Sequence, residues 1–345
     1  MFYMTLTKKE KQILNSIVVA SENDPLKPEF PANDPKFPAT STYKIKVPGF
    51  SNVWLKDEST NPTGTHKDRM AWEIVVTYRD FLFAKENNAS TAPLPQMSLI
   101  TSGSAGVAIQ TMLNKYSLPD LKVLIDKKTN PLIINGLKKL GCEIFQVDLS
   151  KKALNWFDVL KATNNPNGFD ITSNKALDPT MRFYDWLSYE IINASPDYCF
   201  IPFGTGNLFE NILNINKKEV STKTHDPRFR GNTETLRNCN FMGATTNNPN
   251  TKADKLYSPH LPFVNYDEQW IKTYKQSGFC GPESEVHLLE ENFLDKAIQI
   301  AKENNITCEP SGIAGLGLFL QLKQNIPRDK KILIVNTGKT KLNED

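Results

Sequence analysis

Val53-Trp54-Leu55-Lys56-Asp57-Glu58-Ser59-Thr60-Asn61-Pro62-Thr63-Gly64-Thr65-His66-Lys67-Asp68-Arg69 reads as an apolar strand, a turn-rich loop and the start of a long helix. Lys67 falls on the first turn of that helix. A helix start is electropositive and rich in backbone N–H groups without an intrahelical partner. That setting favours the neutral amine, the form a nucleophile needs to attack a carbonyl. The competing reading is a solvated surface lysine. The rest of the chain decides between them.

The chain has 345 residues, enough for two domains with substantial cores. With 41 Lys+Arg against 38 Asp+Glu, the charge balance points neither to nucleic acid nor to an anionic membrane. The start, Met1-Phe2-Tyr3-Met4-Thr5-Leu6-Thr7-Lys8-Lys9-Glu10-Lys11, breaks its apolar run with charge and does not read as a secretory signal. No stretch approaches the roughly 20 apolar residues of a membrane span. The five cysteines are odd in number and lack CxxC spacing, which favours buried thiols and a reducing cytoplasm. The four histidines are scattered, none at i, i+4 from another, so no metal site is expected.

From about residue 50 the chain alternates β-rich runs with helical stretches. Expected strands are 53–56, 97–101, 123–125, 143–147, 198–202, 241–244 and 331–335. Expected helices are 68–85, 107–116, 131–140, 151–163, 181–194, 285–304 and 312–324. In the sixth of these, Leu289, Phe293, Ala297, Ile300 and Ala301 recur at helical spacing. The alternation predicts an α/β protein with mostly parallel twisted sheets flanked by helices. The stretch 214–284, rich in Asn, Thr and Pro, fits either an excursion over a site or a tolerated surface insertion.

Three further glycine-bearing loops each follow an apolar strand. In Thr101-Ser102-Gly103-Ser104-Ala105-Gly106, small residues expose backbone N–H groups at a helix start, the geometry that holds a carboxylate or phosphate. In Gly204-Thr205-Gly206-Asn207-Leu208, two glycines let the backbone close around an anion. In Val335-Asn336-Thr337-Gly338-Lys339, a buried-looking strand ends in a hydroxyl. Ligands of open α/β sheets sit beyond the carboxyl ends of the strands, so these loops could serve one crevice. A nicotinamide site is rejected. Gly204-Thr205-Gly206 lacks the third glycine of GxGxxG, Phe209 standing in its place, and no acidic residue about 20 positions on ends a second strand. Gly315-Leu316-Gly317 lies inside an apolar helix and is assigned to close packing.

With these pieces in order, residues 50 to 340 resemble the pyridoxal-phosphate enzymes of fold type II, the tryptophan synthase β-subunit group, and within it the threonine synthase-like branch. Lys56-Asp57-Glu58 followed by Asn61-Pro62-Thr63-Gly64-Thr65-His66-Lys67-Asp68-Arg69 is similar to the cofactor-lysine segment. The resemblance makes Lys67 the Schiff-base lysine, with His66 beside the cofactor. It makes Thr101, Ser102, Gly103 and Ser104 the substrate-carboxylate loop. Gly204, Thr205, Gly206, Asn207 and Leu208 become the cofactor-phosphate loop, and Thr337 the hydroxyl that meets the pyridine nitrogen. Glu309-Pro310-Ser311-Gly312 is similar to a segment late in this branch. Two departures stand out. Ser104 replaces the usual amide or acid, and in Asp178-Pro179-Thr180-Met181-Arg182 only Arg182 remains of the segment that holds a substrate phosphate.

A hydroxyl at the pyridine nitrogen leaves the ring a weaker electron sink than an aspartate would, which suits elimination or replacement at Cβ or Cγ. Lys67 would move the α-proton as general base and acid. The expected activity is therefore threonine synthase-like, O-phosphohomoserine giving threonine and phosphate. The alternatives are a serine or threonine dehydratase, a tryptophan synthase β-like or cysteine synthase-like replacement, and a non-catalytic relative that kept the fold. The substrate is a small amino acid, with no nucleic-acid or membrane partner. The group is usually dimeric, so a homodimer is expected. Residues 1–85 and 178–345 are assigned to a larger cofactor domain and 86–177 to a smaller one.

Overall fold

The computed structural model describes residues 6–21, 39–87, 92–172, 183–260 and 268–341. The Asp178–Arg182 segment, and with it Arg182, lies outside them. The chain divides into two compact units, one of residues 1–39, 67–183 and 341–345, the other of 40–66 and 184–340.

The first unit holds helices α1 (Lys8–Ser21) and α2 (Lys67–Glu86), and then strand and helix in alternation. Its strands are numbered β3 (Met97–Ile100), β4 (Lys122–Asp126), β5 (Glu143–Val147) and β6 (Phe169–Asp170), because β1 and β2 precede them in the other unit. Between them run α3 (Ser104–Lys115), α4 (Pro131–Leu140) and α5 (Trp156–Ala162). The four strands form one parallel sheet in the order β5-β4-β3-β6. Asn130 caps α4 by accepting from Leu132 N, Pro131 opens it and Gly141 closes it in the left-handed conformation, so this helix was legible to the residue. The helix expected from residue 151 starts at Trp156 instead, because Asn155 and Asp158 form a capping box there.

The second unit holds β1 (Thr42–Lys44), β2 (Val53–Asp57), α6 (Asp185–Asn193), β7 (Tyr198–Pro202), α7 (Asn207–Ser221), α8 (Thr233–Asn238), β8 (Asn240–Thr245), α9 (Glu268–Gln276), β9 (Glu285–Leu288), α10 (Glu291–Glu303), α11 (Ala314–Leu322) and β10 (Ile332–Asn336). Its six strands run β1-β2-β10-β7-β8-β9, all parallel except the β1–β2 pair. β7 and β10 are buried at every residue, as strands covered on both faces must be. Phe319 of α11 packs edge-on against Phe50 and Phe200, and an ideal Cβ on Gly315 would stand 2.6 Å from the Phe200 carbonyl oxygen. Gly315 thus lets α11 lie directly on β7.

Two expectations need correction. The helix expected over 285–304 is a strand, β9, followed by a shorter helix, α10, whose buried face is Leu294, Ala297 and Ala301. Parallel pairing with β8 takes the first four residues into the sheet. The Asn-rich stretch 207–221 was not anticipated as a helix, yet α7 buries Leu208, Ile212, Leu213 and Ile215. The chain passes between the two units at 39/40, 66/67, 183/184 and 340/341. α2 packs along α1 and α3 and so groups with the four-stranded sheet.

Candidate active site

In the second unit the loop leading to Lys67 is built on β2. Asp57 caps the short turn Glu58–Thr60 by accepting from Ser59 N at 3.0 Å. Glu58, fully buried, accepts from Asn61 Nδ2 at 2.7 Å and from the Thr40 hydroxyl. Asn61 Nδ2 also donates to the Thr65 carbonyl at 3.1 Å, which closes the loop on itself. Behind it stands Lys56, 1% exposed, donating to the Thr40 carbonyl at 2.6 Å and to Glu190, with Glu58 at 3.9 Å.

The second loop follows β10 and is tied to the first by backbone. His66 N donates to the Thr337 carbonyl at 3.1 Å, and Lys339 N donates to the Gly64 carbonyl at 2.9 Å. The His66 ring lies with Nδ1 at 3.4 Å from the same Thr337 oxygen and its centroid 5.3 Å from that of Tyr184. Asn336, fully buried, is the pin. Its Nδ2 donates to Asp57 Oδ1 and to the Thr307 carbonyl, both at 2.9 Å, and its Oδ1 accepts from Gly338 N at 3.0 Å. Tyr43 donates to the other Asp57 oxygen at 3.0 Å. Burial, followed by the Asp57 charge, raises the Tyr43 phenol well above its ordinary range, so it serves as a donor.

Gly338 allows this crossing. Its φ is +94°, and an ideal Cβ would stand 2.1 Å from the Gly64 carbonyl oxygen. We expect Gly338→Ala to cost about 2–4 kcal/mol from left-handed strain and overpacking together. Urea unfolding of the variant checks this, and an unchanged midpoint would refute it.

The third loop joins β7 to α7. Phe203 N donates to the Ala244 carbonyl at 2.8 Å, and Gly204, Thr205 and Gly206 then turn the chain. A Cβ on Gly204 would meet the Lys255 carbonyl oxygen at 2.9 Å. Gly206 is the N-cap of α7 in the left-handed conformation, with no side-chain cap, and Asn207 and Leu208 follow as buried first-turn residues. A glycine-lined turn running into side-chain-uncapped helix N–H groups suits a phosphate. Thr337 Oγ1 takes no hydrogen bond among the described residues, although the residue is 8% exposed. Both features fit a phosphorylated ring with a hydroxyl partner for its nitrogen. Cys308 is held as a neutral thiol. Burial, followed by the Asp57 and Glu309 charges, pushes its thiol up to about 11.

In the first unit, Lys67 opens α2 one residue after His66 and is half-buried. Thr101, Ser102 and Gly103 form the loop between β3 and α3, and Ser104 opens the helix. Thr101 N donates to the Leu124 carbonyl at 3.2 Å, and Gly103 N donates to Thr101 Oγ1 at 3.0 Å. Gly103 has φ +131°, and a Cβ there would lie 2.7 Å from Ile133 Cγ2, so both backbone and packing require glycine. Thr172 Oγ1 accepts from Ile100 N at 3.0 Å and donates to Asp170 at 2.6 Å, bracing the strand end that carries the loop. Ser104 is buried at the first position of α3.

Each loop read from the sequence therefore sits at the carboxyl end of a parallel strand. Asn336, Asn61 and Lys56 were overlooked as supports. Lys56 and Asn61 stand inside the quoted segment, and Asn336 directly precedes Thr337. Among the described residues no group of His, Cys, Asp and Glu is arranged to hold a metal, and no helix is long and apolar enough to cross a membrane.

Residues 38–338 match the family described as pyridoxal-phosphate dependent enzyme. A threonine synthase of Synechocystis sp. is 23% identical over 326 residues, covering 92% of this chain and 79% of the relative. Among solved structures, O-ureido-L-serine synthase aligns with a TM-score of 0.63 at 16% identity, over 88% of this chain and 89% of that one. The O-acetylserine dependent cystathionine beta-synthase of Helicobacter pylori aligns with a TM-score of 0.57 at 14% identity, over 98% and 96%. At such identities the two structures speak for the fold alone, and that fold is type II.

Proposed function

Because this chain belongs to the family of pyridoxal-phosphate dependent enzymes, we propose that it catalyses elimination or replacement at Cβ or Cγ of an amino acid, in the manner of threonine synthase. The cofactor supplies the electron sink that stabilises negative charge at Cα. Lys67 would hold it covalently between turnovers, then take the α-proton and return it at a neighbouring carbon. Gly204 to Leu208 would hold the cofactor phosphate through backbone N–H groups, with Thr205 and Asn207 adding side-chain donors. Thr101, Ser102, Gly103 and Ser104 would bind the substrate carboxylate. Arg182 is assigned to a substrate phosphate.

The observation that carries this reading is Thr337. Its hydroxyl stands at the end of β10 without a hydrogen bond among the described residues, on a loop pinned by Asn336. A neutral hydroxyl leaves a ring nitrogen unprotonated and limits charge delocalisation, which favours loss of a β or γ leaving group over transamination. His66 beside that loop would tune the field around Lys67. We further infer a homodimer, from the resemblance, and a reducing cytoplasm, since all five cysteines are free.

The experiment is a substrate panel with two readouts. Phosphate released from O-phosphohomoserine, with no ammonia from serine or threonine, supports threonine synthase-like chemistry. Ammonia and keto acid from serine or threonine would replace it with a dehydratase. Product that forms only when indole or sulfide is supplied would replace it with a β-replacement enzyme.

A further inference from the structure

Residues 246–258 leave β8 and return beside it, with Thr246 and Tyr257 paired across the base. A tolerated insertion would be loosely held throughout, whereas this segment, exposed at Asn247, Pro249, Asn250, Lys252 and Asp254, is anchored by buried residues among them. Thr251, Ala253 and Leu256 are buried at 8%, 1% and 5% exposure, and the latter two belong to the core of the second unit. Asn248 N donates to Thr246 Oγ1, Ala253 N to Thr251 Oγ1 and Leu256 N to the Ala253 carbonyl, so the segment is folded on itself.

Lys255 makes the outward contacts. Its carbonyl oxygen is the atom that a Cβ on Gly204 would meet at 2.9 Å. Its backbone N donates to Ser311 Oγ at 3.2 Å. Its Nζ donates to Glu309 and, at 3.1 Å, to Thr340 Oγ1. Glu309 N in turn donates to the Gly338 carbonyl at 3.1 Å. One residue thereby touches the loop after β7 through its backbone and the loop after β10 through its side chain.

We infer that Lys255 is a positioning residue that fixes the Gly204–Leu208 loop relative to the Thr337–Thr340 loop, and so sets the span across which the cofactor is held. The inference rests on the reading of those loops as the phosphate and ring-nitrogen contacts. Lysine suits the task because one long side chain can join a carboxylate and a hydroxyl on adjacent turns while its own backbone lies against a glycine.

The test uses the full chain with Lys255→Met, Lys255→Arg and the milder Thr340→Val, and reads two quantities. The first is hydrogen exchange of the cofactor-free protein. The inference expects faster exchange in peptides covering 203–209 and 336–341 together in Lys255→Met, a smaller joint rise in Thr340→Val, and near wild-type exchange in Lys255→Arg. The second is the dissociation constant for added pyridoxal phosphate by equilibrium dialysis. It should rise about 10- to 100-fold in Lys255→Met, the loss that removing a charged hydrogen-bonding partner produces. Faster exchange confined to 250–258, with cofactor affinity unchanged, would overturn the inference and leave Lys255 a local fixture. Should the wild type itself take up no pyridoxal phosphate, the functional reading of the loops fails, and the exchange pattern alone still decides whether Lys255 couples them. Should Lys255→Met not fold, Thr340→Val carries both readouts.

Discussion

Lys67→Ala is expected to lower turnover by about 10²- to 10⁴-fold, the usual contribution of a positioned acid–base group, and to remove the visible absorption that a covalently held cofactor confers. The fold should survive. α2 is anchored by Met70, Ala71, Ile74, Val75, Tyr78 and Leu82, all buried, whereas Lys67 is half-exposed at its first position. Loss of colour and rate with unchanged far-ultraviolet circular dichroism would therefore report chemistry and not unfolding. A variant that keeps both the absorption band and the wild-type rate would remove Lys67 from the mechanism.

Lys56→Met should have the largest effect on stability, about 3–5 kcal/mol. Lys56 is buried between Glu190 and Glu58, whose side chains are 6% and 0% exposed. Methionine fills the space of the lysine stem but removes the positive charge that stands between the two buried carboxylates. The added substitution Glu190→Gln removes one of those charges, so the double variant should recover part of the loss, and a thermodynamic cycle in urea measures the coupling. If the single variant unfolds at the wild-type midpoint, the ion group is not what holds the Asn61–His66 loop. The same variant should also weaken cofactor uptake, because that loop delivers Lys67.

How legible each part was follows from the distance over which its cause acts. α4 and β5 were read to the residue because their signals are local: Asn130, Pro131 and Gly141 bracket the helix, and Glu143–Val147 follows directly. β9 was misread because Val286 and Leu288 alone do not make a strand, and the helical spacing that starts at Leu289 ran back over them. What places Glu285–Leu288 in the sheet is pairing with Met242–Thr245, which no window of sequence contains. α7 was passed over because Asn207, Asn211, Asn214 and Asn216 are poor helix formers. Tertiary burial overrides that weakness, with Asn211 donating to Asp185 and Ser188, and Asn216 to the Leu236 and Phe279 carbonyls.

The site divides in the same way. The four candidate loops are readable in sequence because each carries its own glycines and hydroxyls. Their supports were missed because Asn336 reaches Asp57 across 279 positions and Lys255 reaches Glu309 across 54.

The strand order β1-β2-β10-β7-β8-β9 has a consequence for how the molecule is made. β10 is the inner partner of both β2 and β7, pairing Ile332 with Val53 on one side and with Tyr198 on the other. On the ribosome, β2 (Val53–Asp57) emerges long before β10 (Ile332–Asn336), the strand that pairs beside it. Until then the sheet is split, with a long hydrophobic edge open on each half. Pairing across so long a stretch of chain is expected to slow folding and to expose strand edges that chaperones would cover. A message truncated before residue 332 would yield two half-sheets that lack the strand between them, which quality-control proteases should clear as unfolded protein.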